Sequence, residues 1–273
     1  MSAPFVDRDP NQNEFECFRL ILSAYQDGSG QQALHGGQTL PGWRDFERSI
    51  ATAFGGNAQE NKFIFDVLLR DNSRENVYLG VSCKMRRTLN DTKRTGRVTL
   101  ELSNSSGKFW RRLNEIGMHQ RNYKSKPAEV AKELLDQEKE WHDEVGLKRG
   151  GLVDIAKSFY LALSWNEQGE YQLFKFSLAL PKASSLKWDF PSVTDNGKER
   201  TGRRLRGQDK FGALFEWYGE SGGQLKYYPL AKNALWKSDI FRLEPLPEHW
   251  NEKHGLLARA KDYFPSFHFF AEH

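Results

Sequence analysis

The chain has 273 residues, 38% of them hydrophobic, a mean hydropathy of −0.72, and 40 Lys and Arg against 36 Asp and Glu, a formal net charge of +4. That length can bury a substantial core, and no apolar stretch approaches the roughly 18 residues of a spanning helix, which is read as excluding a membrane protein. The opening Met1 to Asp9 has no signal-peptide core, and Cys17 and Cys83 are too few for a disulfide framework, so a cytoplasmic location is expected.

In chain order, the first clear element is Pro41 to Gly56, an amphipathic helix with Trp43, Phe46, Ile50 and Phe54 at helical spacing and a Gly-Gly stop. Glu47 lies beside that apolar stripe. Two strands follow, Lys62 to Leu69 and Tyr78 to Met85, joined by the turn Arg70 to Asn76. Because strand side chains alternate, Asp66 shares a face with Ile64 and Leu68, and Ser82 and Lys84 share one with Tyr78 and Gly80. A carboxylate and a lysine can therefore meet on one sheet surface. Cys83 falls on the opposite face and reads as a packing residue rather than a nucleophile.

Basic residues crowd the stretch after this hairpin: Arg86, Arg87, Lys93, Arg94 and Arg97 follow Lys84 with only Asp91 opposed. Such density attracts a polyanion and neutralises phosphates through counterion release, although basic runs also occur as plain solvated faces. The alternation Val98, Leu100, Leu102 gives a strand that carries Glu101 and ends in Ser103-Asn104-Ser105. That cluster caps a helix starting near Ser105 or Ser106, with Phe109, Trp110 and Leu113 as core anchors. A helix start of this kind binds phosphate or serves only as a structural cap. Pro127 to Glu144 reads as an acid-rich surface helix with a narrow stripe of Val130, Leu134, Leu135 and Trp141.

Ile155 to Trp165 and Tyr171 to Leu180 read as an antiparallel strand pair around Asn166 to Glu170. From Pro181 to Gly223 the composition shifts to Lys, Arg, Gly and Ser, with Arg203, Arg204 and Arg206 in its basic cluster. These arginines suit phosphate contacts or guanine edges, and a solvated loop is the alternative. Leu225 to Tyr228 and Ile240 to Leu243 suggest further strands, then Leu256 to Tyr263 a short helix. The seven histidines are scattered without metal-ligand spacing, and no phosphate-cradling Gly-Lys-Ser/Thr loop or Gly-x-Ser-x-Gly elbow is present.

Asp66, a spacer and then Ser82-Cys83-Lys84 resembles the catalytic hairpin of the PD-(D/E)xK nuclease superfamily, in the Ser-x-Lys variant found among some type II restriction endonucleases. The resemblance covers roughly residues 42 to 113. It implies an α/β fold with a restriction-endonuclease-like mixed central sheet flanked by helices, here with additional C-terminal strands. By the same resemblance Asp66 binds Mg²⁺, with Mn²⁺ as a substitute, and Lys84 orients or helps deprotonate water.

Ser82 stands where the family usually has an acid. Glu101 is the nearest substitute for that metal ligand, and Glu47 is the reserve, since the family's preceding helix often presents a glutamate. The implied activity is Mg²⁺-dependent hydrolysis of double-stranded DNA at a specific sequence by a homodimer. A methylation-dependent endonuclease and a non-catalytic DNA-binding protein on a decayed nuclease fold are the alternatives. The whole chain is then expected as a single nuclease domain, with a catalytic core at about 40–185 and a DNA-recognition elaboration at about 186–245.

Overall fold

The computed structural model describes residues 3–34, 38–59, 64–195, 198–247 and 256–269. Six α-helices occur among them: α1 (Gln12–Ser23), α2 (Trp43–Ala53), α3 (Leu89–Thr95), α4 (Ser106–Glu115), α5 (Pro127–Glu144) and α6 (Leu256–Tyr263). The first eight strands are β1 (Gln32–Ala33), β2 (Thr39–Leu40), β3 (Gly56–Ala58), β4 (Val67–Arg70), β5 (Tyr78–Arg86), β6 (Leu100–Ser103), β7 (Phe159–Trp165) and β8 (Glu170–Ser177). The remainder are β9 (Lys187–Asp189), β10 (Ser192–Asp195), β11 (Lys198–Thr201), β12 (Leu205–Asp209), β13 (Gly212–Tyr218), β14 (Gln224–Tyr227), β15 (Trp236–Lys237) and β16 (Phe241–Arg242). The protein is thus mixed α/β, and none of its helices among the described residues is long and apolar enough to cross a membrane.

The fold divides into two compact units that interleave along the chain. One comprises residues 1–90, 145–178 and 234–273, the other 91–144 and 179–233. The expected catalytic core at about 40–185 and elaboration at about 186–245 do not follow these unit bounds. A contiguous core at 40–185 would mix the two units and omit the strands that complete the first.

In the first unit, a seven-stranded mixed sheet runs β15-β8-β7-β5-β4-β3, with β16 also pairing β8. β5 and β7 are parallel over Val81–Arg86 and Phe159–Ser164, and every other pair is antiparallel. One face presents Leu79, Val81 and Cys83 of β5 and Phe159, Leu161 and Leu163 of β7, packed with Phe18 and Leu22 of α1 and Phe46 and Ile50 of α2. The alternate β7 residues Tyr160, Ala162 and Ser164 are buried as well, so this strand is enclosed on both sides, as expected of a central parallel strand.

α1 begins at a capping box in which Asn11 and Glu14 satisfy each other's backbone amides, and Arg8 clamps the Glu14 carboxylate at 2.6 Å. α2 begins where Asp45 accepts from the Gly42 and Gln31 amides, at 2.8 Å each. Trp43, expected on the buried stripe of α2, is 54% exposed, and the Arg44 guanidinium lies over its ring. It occupies the first turn, where buried Asp45 faces inward instead.

The second unit is built on the antiparallel sheet β6-β14-β13-β12-β9, with α4 and α5 beside it and the separate hairpin β10–β11. Phe109 and Leu113 of α4, Val130 and Leu134 of α5, and Phe215, Trp217 and Leu225 of the sheet are buried, which bears out two of the expected anchors on α4, while Trp110 is only partly buried. α5 has the bounds read from the sequence. Its acids have a structural use: Arg112 of α4 is held by Glu133 at 2.7 Å and Glu140 at 2.6 Å. The stretch 181–223, which the sequence leaves open to a loop reading, contains five strands. Its glycines mark turns and close packing, since a Cβ at Gly207 would meet the Trp188 ring.

Candidate active site

The first strand of the hairpin is shorter than its hydrophobic pattern suggests. β4 starts at Val67, and Lys62 and Phe63 lie outside the described residues, so Asp66 sits immediately before the strand. Its backbone is nevertheless fixed on both sides: the Asp66 amide donates to Val81 at 3.1 Å, and its carbonyl accepts from Gln59 at 2.9 Å. Phe65 is fully buried where a Cβ on Gly80 would collide with its ring. Gly80 therefore creates the space that lets the chain turn Asp66 toward β5.

The Asp66 carboxylate is gripped through one oxygen. Oδ2 accepts from the Cys83 amide at 2.7 Å and lies 3.5 Å from both the Ser82 hydroxyl and the Lys84 ammonium. Lys84 stands on the central strand β5 opposite Ala162 of β7, and its side chain is 16% exposed against 28% for Asp66. Both groups thus reach solvent from a rigid sheet. Ser82, by contrast, is buried, so its hydroxyl supports the Asp66 carboxylate.

Glu47 of α2 joins them. Its carboxyl is pushed up to about 7, chiefly by burial and next by the negative charge of Asp66, while Lys84, Arg44 and Arg48 pull the other way. Two carboxylates and a lysine are thereby brought together from three elements, α2, the approach to β4, and β5. Magnesium is commonly held by one or two carboxylates while keeping several waters, so Glu47 and Asp66 suit it. Among the described residues, no group of three or more His, Cys, Asp and Glu gathers to form a larger cage. Arg44 and Arg48 escape a motif search, although Arg44, three residues before Glu47 on the same helix, is visible in the sequence as its neighbour.

Cys83 packs in the apolar core behind the site, as its alternation implies. Burial, then Asp66 and Glu47, push its thiol well above the ordinary range, which keeps it protonated and inert.

Glu101 lies on β6. β6 pairs with β14 in the sheet of the second unit and has no pairing with β5. Ser105 occupies the N-cap of α4, but its side chain makes no capping hydrogen bond, and Ser103 and Asn104 precede it at the end of β6.

The basic residues divide by circumstance. Arg87 pairs with Glu167 at 3.0 Å on an exposed surface, beside Arg86 at the end of β5, and exposed Lys93 and Arg94 lie on α3, with Arg94 held by Asp91 at 2.6 Å. Arg97 is mostly buried, bound to Asp209 at 2.7 Å and to the Tyr228 carbonyl at 2.6 Å, so it is a structural brace rather than a phosphate contact. Arg206 takes part in a row that crosses the whole second sheet, Asp189, Arg206, Glu216, Lys226 and Glu101, one residue per strand with alternating sign. Arg204 reaches the same Glu216 at 3.1 Å, and Tyr218 and Tyr228 donate to that carboxylate at 2.8 Å. Arg203 alone of the three expected readers is strongly exposed, at 84%, with Glu220 at 3.4 Å.

Histidines 35, 249, 254 and 273 lie outside the described residues. No family model, curated protein or solved structure matches the chain.

Proposed function

We propose that the protein is a metal-dependent DNA endonuclease of the restriction type, on a restriction-endonuclease-like sheet, with Glu47, Asp66 and Lys84 as its catalytic groups. The observation that carries the reading is the convergence of two carboxylates on one lysine, with Glu47 raised to about 7 beside Asp66. Like charges held close together favour either a proton or a cation between them. A bound Mg²⁺ would polarise the phosphodiester and acidify water. The chain's own contributions are positional. Asp66 is oriented by the Cys83 amide, Glu47 approaches from the helix, and Lys84 offers a positive charge where negative charge develops on the phosphate oxygens.

This reading moves the second acid from Glu101 to Glu47. Double-stranded DNA is the substrate class, and a homodimer would place one such centre on each strand. The runner-up is a DNA-binding protein that has lost catalysis, favoured by the buried serine at position 82 and by the absence of a larger acid cluster among the described residues. Incubation of the full chain with methylated and unmethylated plasmid, with Mg²⁺ or with EDTA, separates these readings. Discrete fragments with Mg²⁺ alone are expected. Fragments only from methylated plasmid make the enzyme methylation-dependent, and intact plasmid under every condition overturns the nuclease reading.

A further inference from the structure

The most conspicuous exposed aromatic outside the candidate active site is Phe211, at the tip of the β12–β13 hairpin in the second unit. The tip is a two-residue turn, Lys210-Phe211, closed by the pair Asp209 and Gly212, and the phenyl is 55% exposed. Two ammonium groups from different segments lie over its ring, Lys210 at 5.0 Å and Lys232 at 5.1 Å from the centroid.

The tip is also rigidly mounted. Asp209 accepts from the Phe211 amide at 2.7 Å and from Arg97 at 2.7 Å, and Arg97 binds the Tyr228 carbonyl. The segment bearing Lys232 is tied to the same place by the Ala231 amide donating to the Gly96 carbonyl at 2.8 Å. An exposed phenyl flanked by two lysines and held on a pinned turn is ready to dock without further ordering, which is where much of a binding cost falls.

The charge of the molecule points to the occupant. Of the 40 Lys and Arg residues 21 lie in the second unit, and of the 36 Asp and Glu 16, so this unit carries +5 and the first −1. A polyanion with apolar faces between its charges fits such a tip. We infer that the Lys210-Phe211 turn and Lys232 form a DNA-contacting wedge, in which the two ammonium groups grip phosphates and the phenyl inserts at a base step. The inference rests on the proposed action on DNA and names the element that grips it. It replaces Arg204 and Arg206, which their own sheet holds.

The test uses the full chain, closed circular plasmid in EDTA, and topoisomerase relaxation, because a wedge between base pairs unwinds DNA whatever the sequence. Wild type is expected to bind and to shift the topoisomer distribution. Phe211→Ala should abolish the shift and weaken binding about tenfold, and Phe211→Leu should keep part of both. Lys210→Ala and Lys232→Ala should each lower the slope of log affinity against log salt by about 0.9. Unchanged thermal melting of these exposed variants excludes misfolding as the cause.

If wild type binds and cuts DNA but Phe211→Ala matches it in affinity and unwinding, the wedge is overturned and the nuclease reading stands. If wild type neither binds nor cuts, both fall. If the variants change self-association instead of DNA binding, the tip is a contact between copies of this chain and the wedge is overturned.

Discussion

Glu47 makes its own prediction because its proton is tied to its surroundings. In the unfolded chain its carboxyl titrates near 4.5, whereas the folded site holds the proton up to about pH 7. The folded state therefore binds the proton more tightly. The resulting stability is complete below about pH 4.5 and is lost as pH rises through 7. The metal-free protein should lose melting temperature between pH 6 and 8, and Glu47→Gln should flatten that loss. Stabilisation by Mg²⁺ needs the ionised form, so the Mg²⁺-induced rise in melting temperature should grow over the same interval in wild type and vanish in Glu47→Gln. Equal Mg²⁺ responses in the two proteins would remove Glu47 from the site.

Asp66 and Lys84 are distinguished by the same logic. Asp66→Ala should abolish cleavage and weaken metal binding. Lys84→Ala should abolish cleavage without rescue at higher Mg²⁺, since a cation is missing rather than a ligand. Glu101→Gln should retain the Mg²⁺ dependence of wild type, and a large change there would return the second acid to β6.

At the level of elements, the hairpin β4–β5 depends on a contact with no chemistry of its own. Gly80 leaves room for the buried Phe65 ring directly before Asp66. Gly80→Ala should force that ring and the adjoining backbone to move, at a cost of about 1–3 kcal/mol, and should lower cleavage by displacing Asp66 from the Cys83 amide. Calorimetry with an activity assay checks this, and wild-type melting would show that Phe65 has another place to go. In the second sheet the alternating row through Glu216 makes Arg206 a cross-strand partner as much as a surface cation. Arg206→Ala should therefore lower stability and leave the salt dependence of DNA binding nearly unchanged, the opposite of what a free phosphate-binding arginine would do.

For the molecule as a whole, interleaving has a cost in folding. The first unit's sheet takes its outer partners for β8 from β15 and β16, about sixty residues later in the chain. A fragment of residues 1–178 keeps Glu47, Asp66, Lys84 and the whole β4–β5 hairpin, yet it exposes the β8 edge and deprives β6 of β14. Unpaired strand edges of this kind aggregate. The fragment should accumulate as insoluble or dye-binding material, and a soluble fragment with one cooperative melt would show that the later strands are dispensable.

Much of this protein is readable from local pattern. Helical spacing gives α2 and α5, period-two alternation gives β5, the apolar runs around the turn Asn166 to Glu170 give β7 and β8, and the spacing from Asp66 to Lys84 places a carboxylate beside a lysine. The same alternation puts Cys83 in the core. These succeed because each depends on neighbours a few residues away. The strands within 181–223 are not read from the sequence, because all five are short and glycines interrupt them, so no single segment carries a long enough period.

The choice between Glu47 and Glu101 is of another kind. Glu101 is nearer to Lys84 in the chain, but β6 finds its partner in β14, more than a hundred residues on, while α2 packs on the core face of β5 and brings Glu47 beside Asp66. Likewise Arg97, Arg204 and Arg206 are indistinguishable from phosphate-binding arginines until Asp209 and Glu216 are seen beside them. Sequence alone determined which side chains exist and which local faces they share. Tertiary structure decided which charges meet, because strand pairing between distant segments is what brings a counter-charge within reach of each one.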